Sequence, residues 1–240
     1  MAVLVQLLDG KFNRQSLKEV EEAIIDLGLK GIKFMIPYWG NWLPTDPKIY
    51  PLYAKIEELG VPALFHQGFV SLPTTSETIK YHPSLATLQN SMPIFLDEVA
   101  KDFPDLKIII AHIGLPWIED TCLLMQKYAN IYADTAWMNY LNNSPDYLPR
   151  CLFMAKDYGV ADKIIYGTDG PHAGICGGLT NPYGKDRWRD AVAFSNKEYI
   201  DLIRFGTNEY AKANNRTPLT ETEIQNILGG TIAKLLGIKN

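Results

Sequence analysis

Basic charge is scarce in this chain, cysteine is scarcer, and long apolar runs are missing. Twenty-three lysines and arginines stand against 27 aspartates and glutamates, for a net charge of -4. No basic run reverses that balance, so nucleic acid and an anionic membrane are disfavoured as main partners. The three cysteines, Cys122, Cys151 and Cys176, are odd in number and widely spaced. That argues for a reducing compartment and against a disulfide framework. No apolar run approaches the length needed to span a bilayer. Residues 1–10 are apolar but too short for a signal peptide, and they lack a basic leader. A cytoplasmic protein with a small-molecule substrate is the expectation. Among the four histidines there is no His-x-His pair.

What is present is strand alternating with helix. Ala2 to Leu8 reads as a buried strand ended by Asp9-Gly10. Ser16-Leu17-Lys18-Glu19 has the form of a capping box, predicting a helix whose apolar face is Leu17, Val20, Ile24 and Leu27, with Gly28 as its cap. Gly31 to Ile36 is the next strand. Asp46-Pro47 predicts a helix start, with Ile49, Leu52, Tyr53, Ile56 and Leu59 facing the core. Val61 to His66 is the third strand, and a long loop runs from Gln67 to about Asn90. A helix carrying Ile94, Phe95, Val99 and Phe103 precedes the fourth strand, Lys107 to His112. Trp117 to Tyr128 reads as a helix, Ile131 to Asp134 as a strand, Pro145 to Tyr158 as a helix and Lys163 to Thr168 as a sixth strand. After a glycine- and proline-rich loop from Gly170 to about Arg187, helices fill the C-terminus. Thr220-Glu221-Thr222-Glu223 is a second capping box there, and Ile232, Leu235 and Leu236 form a last apolar stripe.

Apolar strands alternating with helices predict a parallel sheet covered on both faces, in one domain over residues 1–240. Six strands are few for a closed barrel of eight. An open doubly wound sheet can use six but usually brings a glycine-rich phosphate turn after an early strand. Residues 9–13 are not such a turn, and the glycines from Gly174 to Gly178 follow the last strand.

Three of the predicted strands end in chemistry-bearing residues: His66, His112 and Asp169. Imidazole and carboxylate are the usual ligands of a catalytic zinc. A metal beside a reacting group acts as a Lewis acid, and an unligated histidine nearby can move protons. A lone histidine after a strand is otherwise a hydrogen-bonded loop residue, and an aspartate there is often a helix cap. Their recurrence at three strand ends points to a shared site.

Five segments carry a family resemblance: residues 28–33, residues 62–68, Phe103-Pro104-Asp105-Leu106-Lys107 running on to Ala111-His112-Ile113-Gly114, residues 166–171 and residues 227–237. The chain resembles the amidohydrolase superfamily, in the branch that contains aminocarboxymuconate-semialdehyde decarboxylase and γ-resorcylate decarboxylase. The resemblance implies an α/β fold, a TIM-type (β/α) barrel. It implies that His66 and Asp169 ligate a divalent metal, with zinc expected. His112 would be the acid/base residue, and Asp169 would also orient the metal's water. The implied activity is a hydrolase or a non-oxidative decarboxylase (carboxy-lyase) acting on a small carboxylic acid, aromatic acids included, in a homodimer. The alternative is a non-catalytic binding or scaffold descendant with a degraded site.

Aligned in this way, Ala2 to Leu8 becomes strand three, and strands one and two, with their His-x-His pair, are not in the chain. The barrel is expected to be incomplete at its N-terminus, with about six of eight strands. A shortened chain, a protein that has lost strong metal binding, or completion by another chain would each account for it. Lys33 falls where other branches carry a carbamylated lysine and is expected to be structural. Trp39, Trp42 and Trp117 follow strands and either form an aromatic wall for a planar substrate or cover the barrel mouth. His172 is a substrate contact or substitute ligand, or else a solvated loop residue. His82 is expected to be structural, Cys176 has no obvious base beside it, and Arg187 and Arg189 are either solvated or carboxylate-binding.

Overall fold

A computed structural model describes residue 12 and residues 14–36, 42–68, 76, 80, 87–138, 146–169 and 196–238. The chain divides into two compact units. The first comprises Met1–Asp134 with Ile232–Asn240, and the second comprises Thr135–Thr231.

The first unit is built on four short parallel strands: β1 (Ile32–Phe34), β2 (Ala63–Phe65), β3 (Ile108–Ile110) and β4 (Ile131–Asp134), paired in that order. The register aligns Phe34 with Phe65, Phe65 with Ile110 and Ile110 with Ala133. The Phe34 and Phe65 rings stack at 4.7 Å across the first pair. Ile32, Lys33 and Phe34 of β1 and Ile108, Ile109 and Ile110 of β3 are buried without a break. Burial of adjacent residues rather than every second one marks strands covered on both faces. The ordered strands are shorter than the apolar runs that predict them. Ala2 to Leu8 lies outside the described residues.

Helices α1 (Arg14–Ile25), α2 (Tyr50–Glu58), α3 (Leu96–Asp102) and α4 (Ile118–Lys127) connect and flank these strands. Two of the expected helix starts are displaced. In α1 the helix already runs at Arg14, so Ser16 is a buried helical residue and not a cap. The inward face is Ser16, Val20 and Ala23, and Leu27 is 72% exposed. Gly28 does cap it: at φ +68° it lets the Leu29 N–H donate to Ala23 O at 3.1 Å. In α2 the Asp46 carboxylate accepts from Lys48 N–H at 3.0 Å. That bond closes a separate turn before Tyr50, so the helix starts later than Pro47. Its core face is as expected, with Ile49, Leu52, Tyr53 and Ile56 buried. In α3 the inward residues are Leu96, Val99 and Ala100, while Ile94 is exposed in a preceding 3-10 turn.

Asn130 ties the connection before β3. Its buried amide nitrogen donates to Phe103 O at 2.9 Å and Leu106 O at 3.0 Å. Lys107 Nζ donates to Gly60 O at 3.1 Å and to Leu235 O at 3.2 Å, joining the last residues of the chain to the first unit.

The second unit contains β5 (Ile164–Ile165), α5 (Tyr147–Asp157), α6 (Thr207–Ala213) and α7 (Glu221–Gln225). Leu148, Cys151, Leu152, Phe153 and Ala155 of α5 are buried. Thr135 N–H donates to Ile165 O at 2.9 Å, and Tyr166 N–H donates to Ile227 O at 2.7 Å. Thr220 caps α7 in a full capping box with Glu223, as the sequence predicts. Among the described residues no helix is long and apolar enough to cross a membrane.

Candidate active site

His66 and His112 meet at the carboxyl ends of β2 and β3. One step beyond the aligned row Phe65, Ile110 and Ala133 stand His66, Ala111 and Asp134. His66 N–H donates to Phe34 O at 2.8 Å, which extends the β1–β2 pairing by one residue and holds its backbone to the sheet. His112 comes one residue after Ala111, in a turn that leaves the strand direction at once.

That turn is left-handed over three residues: His112 at φ +58°, Ile113 at +49° and Gly114 at +65°. Two left-handed L-residues cost about 2–4 kcal/mol together, and a β-branched residue there is a genuine outlier. Asp134 offsets much of this. Its Oδ1 accepts the His112 N–H at 2.8 Å, and Asp134 is buried. A hydrogen bond to a charged acceptor contributes about 1.5–3 kcal/mol. Gly114 is required for a second reason, since a Cβ there would lie 2.3 Å from Thr121 Oγ1 and 2.5 Å from Pro93.

The result is a contact between two imidazoles. His112 Nε2 lies 3.3 Å from His66 Nδ1, with ring centroids 4.6 Å apart and planes at 66°. The rings are 2% and 5% exposed, so this is an interior pair. Two facing nitrogens at this distance either share one proton, donor to acceptor, or flank a common cation. Two imidazoles fall short of the three protein ligands of a catalytic zinc site, so a divalent ion here would need further donors. Hydrogen-bonded through Nδ1, His66 would keep Nε2 as its ligand atom, the usual division of labour for a metal-binding histidine.

Loops from two strands lock around the pair. Gly68 N–H donates to Ser91 O at 2.6 Å. Buried Gln67 lies beside the Ser91 and Met92 carbonyls, and its amide nitrogen, turned toward them, reaches both. Trp117 N–H donates to Gly114 O at 2.9 Å, which places Trp117, half-buried, directly after the His112 turn. Trp42 is half-buried and packs edge-on to Phe12 at 5.1 Å and Phe34 at 6.5 Å. Asn90 Nδ2 donates to the Trp42 carbonyl at 3.2 Å. Lys33 is buried on β1. Asp169 follows β5 in the second unit, exposed and left-handed at φ +58°. Trp39, His172, His82, Cys176, Arg187 and Arg189 lie outside the described residues. Among the described residues, no three of His, Cys, Asp and Glu form a cluster able to hold a metal. Sequence reading missed Asp134 as a site residue; its position at the end of a predicted strand was the available signal.

The amidohydrolase family model matches residues 2–238. The chain belongs to the amidohydrolase family. A 103-residue stretch, 41% of the chain, is 31% identical to 2-keto-4-carboxy-3-hexenedioate hydratase from Sphingobium sp. (strain NBRC 103272 / SYK-6), covering 30% of that protein. Among solved structures, an uncharacterised TIM-barrel protein from Bordetella bronchiseptica matches with a TM-score of 0.58 at 21% identity, over 96% of this chain and 65% of that one. Dihydroxybenzoic acid decarboxylase from Polaromonas sp. JS666, solved with bound manganese and the inhibitor 2-nitroresorcinol, matches with a TM-score of 0.53 at 16% identity, over 94% of this chain and 66% of that one. The chain thus spans less than two thirds of the length of these relatives. At such identities the structural matches show the fold alone: an α/β, TIM-type barrel architecture, as the sequence predicts.

Proposed function

We propose that the chain is a metal-dependent amidohydrolase-family enzyme, acting on a small carboxylic acid by decarboxylation, hydrolysis or hydration. The observation that carries this is the buried His66–His112 contact at two adjacent strand ends, where a β/α barrel places its chemistry. His66 supplies one metal ligand. Asp169 is assigned as the second on the sequence resemblance, with zinc or manganese as the ion. A divalent metal held there would supply positive charge to a substrate carboxylate and Lewis acidity to its neighbouring oxygen.

His112 is the residue that moves a proton, through Nε2. In decarboxylation the bond to the carboxylate breaks, its electron pair stays on carbon, and His112 delivers a proton to that carbon. In hydrolysis or hydration the same ring exchanges a proton with the substrate while Asp169 accepts one from water. Trp117, beside the His112 turn, and Trp42 are proposed as aromatic walls. Trp39 and His172 keep the substrate-contact roles assigned from sequence. Residues 1–240 are read as one functional domain, in a cytoplasmic homodimer.

The chain, loaded with manganese or zinc, is to be assayed with 2,6-dihydroxybenzoate for carbon dioxide release and with 2-keto-4-carboxy-3-hexenedioate for loss of ultraviolet absorbance. Metal-dependent turnover of either acid is the expected result. No turnover of either, together with no metal-dependent binding of 2-nitroresorcinol, would overturn the proposal.

A further inference from the structure

We propose that Asp134 is a positioning residue for His112, an inference that rests on reading the His66–His112 pair as the reacting site. Asp134 is the last residue of β4 and is 8% exposed. Its Oδ1 takes the His112 backbone N–H at 2.8 Å. The His112 N–H leaves the ladder because β3 ends at Ile110 and the chain turns left-handed at once. A buried N–H in that position must find an acceptor, and the adjacent strand provides one as a side chain. The same bond fixes where the imidazole goes. It holds the peptide plane ahead of the His112 Cα, and from that anchored Cα the left-handed turn sets Nε2 at 3.3 Å from His66 Nδ1. Asp134 therefore acts on the ring through the backbone, without touching the substrate.

The consequence is separable from simple packing. Asp134→Asn keeps an oxygen acceptor in place, whereas Asp134→Leu keeps the bulk and removes the acceptor. With [15N]histidine labelling of the full chain, four backbone amides report, one per histidine, and His112→Gln identifies the His112 signal. In Asp134→Leu the His112 amide is expected to exchange with solvent at least ~10-fold faster, and the ring nitrogen signals of both His66 and His112 are expected to shift. Asp134→Asn should restore amide protection and ring signals close to those of the unmodified chain.

If Asp134→Leu does not fold, Asp134→Ala replaces it and is judged by the same signals. Unchanged His112 amide exchange and unchanged ring signals in the acceptor-lacking variant would overturn the assignment. Absence of turnover in the unmodified chain would instead count against the proposed function, because the amide and ring signals do not depend on substrate.

Discussion

Gly68 and Leu115 approach so closely that a Cβ on Gly68 would lie 2.3 Å from the Leu115 carbonyl oxygen. Gly68 also has φ +88°, and the backbone it faces is that of Gly114 and Leu115, at the end of the turn that carries His112. Two loops, one following His66 and one following His112, are thus pressed together through backbone atoms. Gly68→Ala is expected to destabilise the chain by about 2–4 kcal/mol, from steric overlap and positive φ combined. Urea denaturation measures it. A midpoint unchanged from the unmodified chain would show that the loops can part without cost.

Removing either ring of the histidine pair should separate two functions. His112→Ala is expected to lower kcat by at least about 100-fold with metal content retained. His66→Ala is expected to lose the bound ion. Elemental analysis, circular dichroism and steady-state rates on the two variants distinguish these outcomes. An active His112→Ala variant would remove that residue from the mechanism.

Glu223 makes the second unit acid-sensitive. Burial raises its carboxyl pKa, but hydrogen bonds from Lys156 and Thr220, together with the Lys156 charge, outweigh that and hold it below the usual range. Lys156 Nζ reaches both carboxylate oxygens, at 2.8 and 2.7 Å. A depressed carboxyl stabilises the fold above its unfolded value of about 4.3, and that contribution is lost as pH falls through the lower folded value. Glu223→Gln should therefore cost about 1 kcal/mol at pH 7. The gap between variant and unmodified chain should close toward pH 3. Urea titrations at the two pH values test this, and a gap that widens in acid would contradict it.

Cys122 should be chemically silent. It is 0% exposed, and burial, helped by the Glu119 charge, pushes its thiol up to about 12. At pH 8 about one molecule in 10,000 carries the thiolate that alkylating agents need. Iodoacetamide followed by peptide mass mapping should label Cys122 only after unfolding. Labelling in the folded chain at pH 8 would mean the helix opens locally.

Much of this architecture is legible in the residues, because its signals are local. Apolar runs at 32–34, 63–65, 108–110 and 131–134 are strands, Gly28 and Gly60 end helices, and Thr220 with Glu223 caps one. Local signals also mislead. Ser16 has a capping pattern, yet the helix begins ahead of it, and Leu27 carries the right spacing but lies past the last turn that faces the core. The pairing of His66 with His112 needs strand order and register, which periodicity does not encode. Asp134 is harder still: its partner is a backbone N–H freed by an unusual turn, and nothing in the residue types announces a left-handed histidine.

Lys107 donating to Leu235 O carries a consequence for synthesis. Residues 232–240 belong to the same unit as residues 1–134. On the ribosome, that first unit must wait, unfinished, while the whole of the second emerges. A nick before residue 232 would be felt not by its neighbours in sequence but by the strands between residues 32 and 134.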